Sequence, residues 1–320
     1  MPSAVKVFLG LALCLAIGWG YVLYRAQANE ARAEASHPPE GQFINIGGIQ
    51  VHAVVMGDGP DLVLLHGASG NTRDMTFALG PELAQRYRVI VLDRPGLGYT
   101  DPIHDQGASI SEQADLLSQA AQALGAERPI VLGHSYGGAV ALAWAVNHPD
   151  RIGGVVALSA ASHPWDTGLS TYYKILSHPV LGRIVIPMIT AFVPERRVRT
   201  ALEQAFAPGA VPNGYMEHFG PRLSLRRFSL HANARQRANL HSEITALSQH
   251  YPSLSAPLEV LHGTDDKVVG FHVHSTPLAK AVPGAQLTPL AGLGHMTQHD
   301  AQSEVIQAID RIASRTAGLR

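Results

Sequence analysis

Short apolar runs alternate with segments of helical periodicity along most of this chain. Four runs carry no charged residue, and they span 62–65, 89–92, 130–132 and 155–158; a fifth, 258–261, is apolar except for Glu259. A strand without a polar face must be covered on both sides, as in a parallel sheet. The segments between the runs include a helix-like stretch at 74–86 and a second one from Ser109 to Leu124, in which Ser109 and Glu112 fit a capping box. The pattern predicts an α/β fold with a mostly parallel, doubly wound sheet.

The alternation is interrupted once, by nearly ninety residues. Stretch 165–253 contains helix-like pieces with many prolines and basic residues, whereas the strand–helix alternation resumes after it. This stretch is too long for a loop inside one sheet. We therefore expect a core formed by 42–164 and 254–320, with 165–253 inserted as a helical cap over the carboxyl edge of the sheet.

The N-terminus begins with a long apolar segment. Residues 7–24 are 18 positions without a charge, which is enough to span a bilayer core. Small-residue sites at 26–28 and 31–33 keep a cleaved signal sequence open as the alternative. We expect residues 1–25 to act as an uncleaved transmembrane anchor or signal segment and 26–41 to form a linker. Lys6 and Arg25 flank the run on opposite sides, so charge does not decide orientation; by analogy with short-tailed signal anchors, we expect the remainder outside the cytoplasm.

Composition excludes several classes of protein. The chain has 24 basic and 25 acidic residues, so no nucleic-acid partner is expected. Cys14 is the single cysteine, which excludes an intramolecular disulfide and a cysteine-based metal site. Histidines and acidic residues do not occur at the helical spacing of a hydrolytic metal site, and no Gly-x-Gly-x-x-Gly follows the first parallel strand. We expect neither a metal nor a cofactor.

The most informative stretch is a strand that ends in Gly-x-Ser-x-Gly and continues into a helix. Ser135 lies between Gly133 and Gly137, after the apolar run 130–132. A turn this tight requires neighbours without side chains, and it exposes the serine hydroxyl beside a helix N-terminus. Ser135 is therefore the candidate nucleophile.

A serine hydroxyl needs a base, and the base needs a carboxylate that orients it. Two loops after later strands supply candidates, with Asp265 and Asp266 in the first and His295 in the second. The order Ser, Asp, His is the one expected for this arrangement on such a sheet. The two adjacent aspartates remain alternatives at this point.

These motifs together resemble the serine hydrolases of the α/β-hydrolase fold. The matching pieces are His66-Gly67, Asp93-Arg94-Pro95-Gly96-Leu97-Gly98, Gly133-His134-Ser135-Tyr136-Gly137-Gly138, Gly263-Thr264-Asp265-Asp266 and Gly294-His295. The resemblance implies that Ser135 is the nucleophile, His295 the general base and Asp266 the orienting acid. It also implies an oxyanion hole formed by the backbone N–H groups of Ala68 and Tyr136.

The resemblance leaves other chemistries of the fold open. Ser135 in the nucleophile position disfavours the relatives that use aspartate there, such as epoxide hydrolases and haloalkane dehalogenases. Carbon–carbon bond hydrolases often have an aromatic residue after the catalytic histidine, where this chain has Met296. Carboxylic ester hydrolysis is the main expectation; carbon–carbon bond hydrolysis, cofactor-free peroxidase chemistry and a non-catalytic ligand-binding relative are the alternatives.

Several residues near these motifs have more than one interpretation. Asp166 is an outside candidate for the acid, because some relatives hold it there. We interpret His66 and His134 as shaping residues, whereas Ser69 and Asn71 fit either substrate contact or ordinary turn chemistry.

The cap and the anchor bear on the substrate class. The cap is expected to line the pocket, and its apolar run 184–193, together with the anchor, indicates a small-molecule substrate with a lipophilic acyl group. A buried cap helix explains the same run equally well.

Overall fold

One sheet of eight strands organises the molecule, and the computed structural model describes it within residues 3–317. Residues 1–2 of the predicted anchor and residues 318–320 of the predicted core lie outside the described residues. The strands are β1 Gln42–Ile46, β2 Ile49–Met56, β3 Asp61–Leu65, β4 Arg88–Leu92, β5 Ile130–His134, β6 Gly154–Leu158, β7 Leu258–Gly263 and β8 Gln286–Leu290. Their order is β1-β2-β4-β3-β5-β6-β7-β8, with β2 antiparallel to both neighbours and the rest parallel. The predicted α/β class is confirmed.

Helices lie on both faces of this sheet and in one insertion. They are α1 Ser3–Ser36, α2 Thr72–Thr76, α3 Leu79–Leu83, α4 Ile110–Ala123, α5 Tyr136–Asn147, α6 Thr171–Ser177, α7 Leu181–Phe192, α8 Glu195–Phe206, α9 Tyr215–Phe219, α10 Arg227–Leu247, α11 Phe271–Ala281, α12 Thr297–Asp300 and α13 Gln302–Ala317. The capping box of Ser109 and Glu112 is present at the start of α4. The single helix expected at 74–86 is instead α2 and α3, because Pro81 has no N–H with which to continue a helix from α2.

The central strands are buried on both faces. In β3, Val63 and Leu65 pack into the apolar cluster that includes α4 and α5, whereas Leu62 and Leu64 pack into the cluster that includes α13. This alternation is the period of two that a strand imposes on its side chains. Because each side chain must face its own cluster, the register between β3 and β5 is fixed, and Leu65 lies opposite Gly133. Both strands therefore end at the same edge of the sheet.

Helices α6 to α10 form the insertion between β6 and β7. The apolar run 184–193 lies in α7 up to Phe192, and its side chains divide between two faces of the helix. Ile186 and Ala191 are buried, whereas Ile184, Met188 and Phe192 are exposed at helical spacing along the other face. Burial therefore explains only half of this run.

Helix α1 differs from its expected division into an anchor and a linker. It continues without a break to Ser36, because its C-terminal part packs on the insertion. Asn29 donates to the backbone carbonyls of α7, while Glu30 and Glu34 form ion pairs of 2.7 and 2.9 Å with the arginines at the start of α10. The N-terminal part is exposed and long and apolar enough to cross a membrane, a property that a signal sequence shares.

The loop after β4 is held by one buried carboxylate. Asp93 accepts hydrogen bonds from the backbone N–H groups of Thr72 and Tyr99 and from the His52 imidazole, at 2.7, 2.9 and 2.6 Å. Burial opposes its ionisation, but the hydrogen bonds from His52 and Tyr99 and the nearby imidazoles of His52 and His66 together outweigh this and lower the pKa of Asp93. The loop thereby joins β2, β4 and α2.

We expect Gly98→Ala to destabilise the protein strongly. A Cβ at Gly98, whose φ is +52°, would lie 2.0 Å from the Asp93 carboxylate. Gly125→Ala is the matched control, because its φ is also positive, at +84°, but its Cβ would meet nothing nearer than 3.9 Å. The control should lose about 1–2 kcal/mol to backbone strain, and Gly98→Ala should lose more. Equal losses in urea unfolding would contradict the role given to the Asp93 contacts.

Candidate active site

The turn around Ser135 is strained, and its neighbours make the strain possible. Ser135 has φ 54° and ψ −116° between β5 and α5. A Cβ on Gly133 would lie 2.2 Å from the Gly137 carbonyl oxygen, and one on Gly137 would lie 2.4 Å from that of Leu65. Hydrogen bonds hold the turn, since Ser135 N donates to the carbonyl of Leu158 at 2.9 Å. The Ser135 side chain therefore lies at the carboxyl edge of the sheet.

Asp266 and His295 meet at the same edge. His295 Nδ1 lies 2.7 Å from Asp266 Oδ2, while Asp266 Oδ1 accepts from the backbone N–H groups of Val268 and Val269 at 2.7 and 2.9 Å. Burial raises the pKa of Asp266, but the hydrogen bonds from His262 and His295 outweigh it and hold that pKa well below its ordinary value. Since the carboxylate can only accept, Nδ1 of His295 carries a proton, and in the neutral form of the ring Nε2 is an acceptor.

His262 is a second imidazole on the same carboxylate, and it belongs to none of the sequence motifs described above. Its Nε2 lies 3.0 Å from Asp266 Oδ2 and 2.8 Å from the carbonyl oxygen of Val269. Both partners are acceptors, so Nε2 is the protonated nitrogen. Nδ1 lies 2.6 Å from the hydroxyl of Ser275. The available signal was a histidine near the end of a mostly apolar strand, but such a residue reveals no partner by itself.

The other acid candidates lie elsewhere. Asp265 is exposed and accepts from the hydroxyl of Thr264 at 3.2 Å. Asp166 borders a surface cleft together with Trp165 and Arg237. Within residues 3–317, the carboxylate that contacts His295 belongs to Asp266.

Two backbone N–H groups beside Ser135 have no acceptor within the described part of the chain. They belong to Ala68, in the turn after β3, and to Tyr136, the first residue of α5. The turn lies against the serine, because a Cβ on Gly67 would lie 3.2 Å from Ser135 Cβ. Unpaired N–H groups at such a point favour negative charge.

Arg94 fixes the turn that carries Ala68. Its buried guanidinium donates to the carbonyl oxygens of His66 and Gly67, both at 2.9 Å. The same group donates to the side-chain oxygens of Gln113 in α4 and Gln236 in α10, at 2.9 and 3.0 Å. Burial lowers the pKa of Arg94 to about 10, so the group remains protonated at neutral pH. It was missed as a site residue because its partners are distant in sequence.

Helix α10 also contacts this turn directly. Asn233 accepts from the backbone N–H of Ser69 and donates to its hydroxyl, both at 2.9 Å. Asn71 caps α2 by accepting from the N–H of Arg73 at 2.9 Å, and it donates to the carbonyl of Phe219 at 3.2 Å. Ser69 and Asn71 are therefore both engaged in contacts within the protein.

The buried ring of His134 contacts His295. Its Nε2 lies 3.0 Å from the backbone carbonyl oxygen of His295, and the two rings are 4.7 Å apart between centroids. Burial, followed by the charge that His295 carries when it is protonated, lowers the pKa of His134 to about 3. Burial and the charge of Arg94 lower the pKa of His66 to about 4. Both rings are neutral at physiological pH.

Ser135 and His295 are brought to one edge, but no hydrogen bond joins the serine hydroxyl to the imidazole among the residues described. Ser135 is 8 % exposed. Two surface clefts, of about 790 and 660 Å³, lie elsewhere on the molecule. Over residues 3–317, no group of three or more histidine, cysteine or acidic side chains is arranged to hold a metal ion.

We expect the buried neutral histidines to make the fold sensitive to acid. Unfolded histidines bind protons near pH 6.5, whereas His134 and His66 in the fold resist protonation until about pH 3 and 4. The unfolded state therefore binds more protons below pH 6.5, and the free energy of unfolding falls as the pH drops towards 4. Each histidine contributes up to about 1.4 kcal/mol per pH unit.

Urea unfolding between pH 7 and 5 measures this slope. His134→Gln should reduce the slope by up to one proton, and His250→Gln, at an exposed position, is the control substitution. An unaltered slope in His134→Gln would contradict the neutral state of that ring.

Several known proteins are similar to this chain in sequence or in structure. A 2-hydroxymuconate semialdehyde hydrolase of Pseudomonas putida is 26% identical over 270 residues, which cover 83% of this chain and 91% of that protein. The structure of a thermophilic esterase from Thermogutta terrifontis superposes with a TM-score of 0.68 at 22% identity, covering 86% of this chain and 99% of that one. A bacterial membrane phospholipase A gives a TM-score of 0.65 at 18% identity, covering 98% and 99%.

The sequence also matches a family as a whole. The profile of the family described as "alpha/beta hydrolase fold" matches residues 60–302, which is well over half of the 320-residue chain. The matched range includes the turn after β3, the Ser135 turn and the loops that carry Asp266 and His295. This chain belongs to the alpha/beta hydrolase fold family.

Proposed function

We propose that this hydrolase cleaves carboxylic esters, with Ser135 as nucleophile, His295 as general base and Asp266 as the carboxylate that orients it. One observation carries the proposal: the 2.7 Å contact of His295 Nδ1 with Asp266 leaves Nε2 as an acceptor at the sheet edge where the strained turn presents Ser135. A modest rotation of the serine or a loop shift on substrate binding closes the remaining hydrogen bond, as is common between free and bound enzymes.

The proposed reaction has two halves. Ser135 Oγ attacks the acyl carbon while its proton passes to His295 Nε2, and the alcohol then leaves with that proton. Water, deprotonated by the same nitrogen, attacks the acyl-serine and releases the carboxylic acid. Asp266 remains ionised throughout, because its lowered pKa disfavours protonation. Its role is to hold the ring and to stabilise the imidazolium.

The N–H groups of Ala68 and Tyr136 are the proposed oxyanion donors. A donor of this kind contributes about 3–4 kcal/mol to the transition state. Ala68 has an additional advantage, because its N–H belongs to the same peptide group as the Gly67 carbonyl. That carbonyl accepts from Arg94 and from His66 Nδ1, each at 2.9 Å. Donation to the oxygen polarises the peptide and strengthens the N–H as a donor.

We also propose that α1 anchors the enzyme to a membrane and that the ester has a lipophilic acyl group. The exposed apolar part of α1 and the exposed face of α7 support both statements. The likeness to the membrane phospholipase A extends over 98% of this chain and so includes α1, whereas that to the esterase covers 86%. The membrane neighbour supports an acyl ester as the substrate class.

Carbon–carbon bond hydrolysis is the second candidate. It is supported by the relative named as a 2-hydroxymuconate semialdehyde hydrolase. Met296 after His295, where such enzymes often have an aromatic residue, speaks for the ester.

We expect Ser135→Ala to lower kcat/KM for esters by about 10⁴-fold or more, because the nucleophile is removed. A fluorophosphonate probe should label the wild-type chain at Ser135 and leave the variant unlabelled, while circular dichroism shows an unchanged fold. Esters of graded chain length then report the size of the acyl pocket. Undiminished ester hydrolysis by the variant would refute the assignment. Probe labelling of the wild type without turnover of any ester would favour the second candidate.

The two adjacent aspartates allow a matched comparison. Asp266→Asn should lower kcat by about 10³–10⁴-fold, because an amide cannot hold His295 in the required tautomer. Asp265→Asn, next to it but exposed, should leave kcat within about twofold, since it does not contact the ring. The assignment fails if the two variants have similar rates of ester hydrolysis.

A further inference from the structure

A cleft of about 660 Å³ runs along the part of α1 that follows its apolar run. Four arginines border it, and we call it the arginine cleft: Arg25, Arg32, Arg199 and Arg222. Two come from α1, one from α8 and one from the segment before α10. The cleft is separate from the proposed catalytic residues, none of which borders it.

Positive charge in this cleft is only partly neutralised. Arg222 forms an ion pair of 2.9 Å with Glu195, and Glu217 is the other acidic residue at the border. Four arginines against two carboxylates leave two positive charges in excess. Arg25, Arg32 and Arg199 take part in no ion pair within residues 3–317. Their guanidinium groups retain free N–H donors.

The position of the cleft along α1 fixes its depth, given the anchoring proposed above. The apolar run ends at Tyr24, so Arg25 lies where the hydrocarbon ends. Phe192, at the end of α7, lies at this level too: its ring is 6.3 Å from that of Tyr21 and 4.8 Å from the Arg25 guanidinium. Arg32, seven residues further along the helix, is about 10 Å higher. The cleft therefore begins within the headgroup layer and rises above it.

We propose that the arginine cleft binds the phosphate of an anionic phospholipid from the bilayer that α1 crosses. Guanidinium groups suit this ligand, because they match phosphate oxygens with paired donors. A net positive site at the membrane surface favours anionic over zwitterionic headgroups. The volume is that of an ordinary small-molecule site. The proposal rests on the anchoring by α1 and is independent of the ester chemistry.

Native mass spectrometry of the full chain in detergent, with equimolar phosphatidylglycerol and phosphatidylcholine, tests the proposal. Wild type should retain phosphatidylglycerol preferentially. The double variant Arg32→Gln/Arg199→Gln should retain it about tenfold less. Both side chains are exposed, so folding should be unaffected. The matched control is Arg196→Gln/Arg197→Gln, which removes the same charge from α8 outside the cleft and should behave as wild type.

Each other outcome overturns the assignment. Equal retention by wild type and the cleft variant would mean that the lipid binds elsewhere, and equal losses in both double variants would mean that only net charge acts. Displacement of the lipid by millimolar inorganic phosphate would make the cleft a site for free anions. Flotation with phosphatidylcholine vesicles reports on the anchor separately, because α1 alone should carry every variant. Hydrolysis of a soluble ester should be the same in all forms, and it reports on the proposed catalytic function.

Discussion

A single buried guanidinium holds together the parts on which the proposed chemistry depends. Within residues 3–317, the Arg94 guanidinium has no carboxylate partner at hydrogen-bond distance. Two backbone carbonyls and two amide side chains accept its hydrogen bonds, and its Cζ lies 4.3 Å from the centroid of the Tyr136 ring. Such a charge is tolerated in a dry interior only while every donor is matched, so the loss of one partner is costly. The turn with Ala68, helix α4 and helix α10 are thereby held in one arrangement. The two carbonyls that stabilise the charge also belong to the turn whose Ala68 N–H is a proposed oxyanion donor.

Backbone proximity is the second constraint at this edge of the sheet. The Ser135 turn is closed by approaches of little more than 2 Å between positions that would carry a Cβ and neighbouring carbonyls, and only glycine satisfies them. The main chain also positions Asp266, because one oxygen of its carboxylate accepts from two backbone N–H groups of its own loop while the other contacts His295. Geometry at both residues is therefore a property of the main chain, which leaves the loops free to vary in their remaining side chains.

The sequence predicted what depends on local periodicity and short motifs. The apolar runs predicted strands buried on both faces, and Gly133 and Gly137 predicted the tight turn. The order of the three motifs predicted that Ser135, Asp266 and His295 lie at one edge of the sheet. Contacts between side chains that meet only in the fold could not be predicted from the sequence. Examples are the hydrogen bonds of Arg94 with Gln113 and Gln236 and that of His262 with Asp266, which depend on how the strands are aligned. The linker expected from alanine and charge at 26–41 was wrong over 26–36, because those same residues are good helix formers once α7 offers a surface to pack against.

The unbroken course of α1 has a mechanical consequence. A domain on a flexible tether samples all orientations above its membrane, whereas one whose anchor helix is packed and paired through Asn29, Glu30 and Glu34 turns only as the helix itself turns. The proposed enzyme would thus keep one face of its catalytic domain towards the lipid. The length of the continuous helix α1 would set the distance between that domain and the bilayer. Collision with a substrate would then occur in two dimensions and from a preferred direction, which shortens the search for a molecule that itself resides in the bilayer.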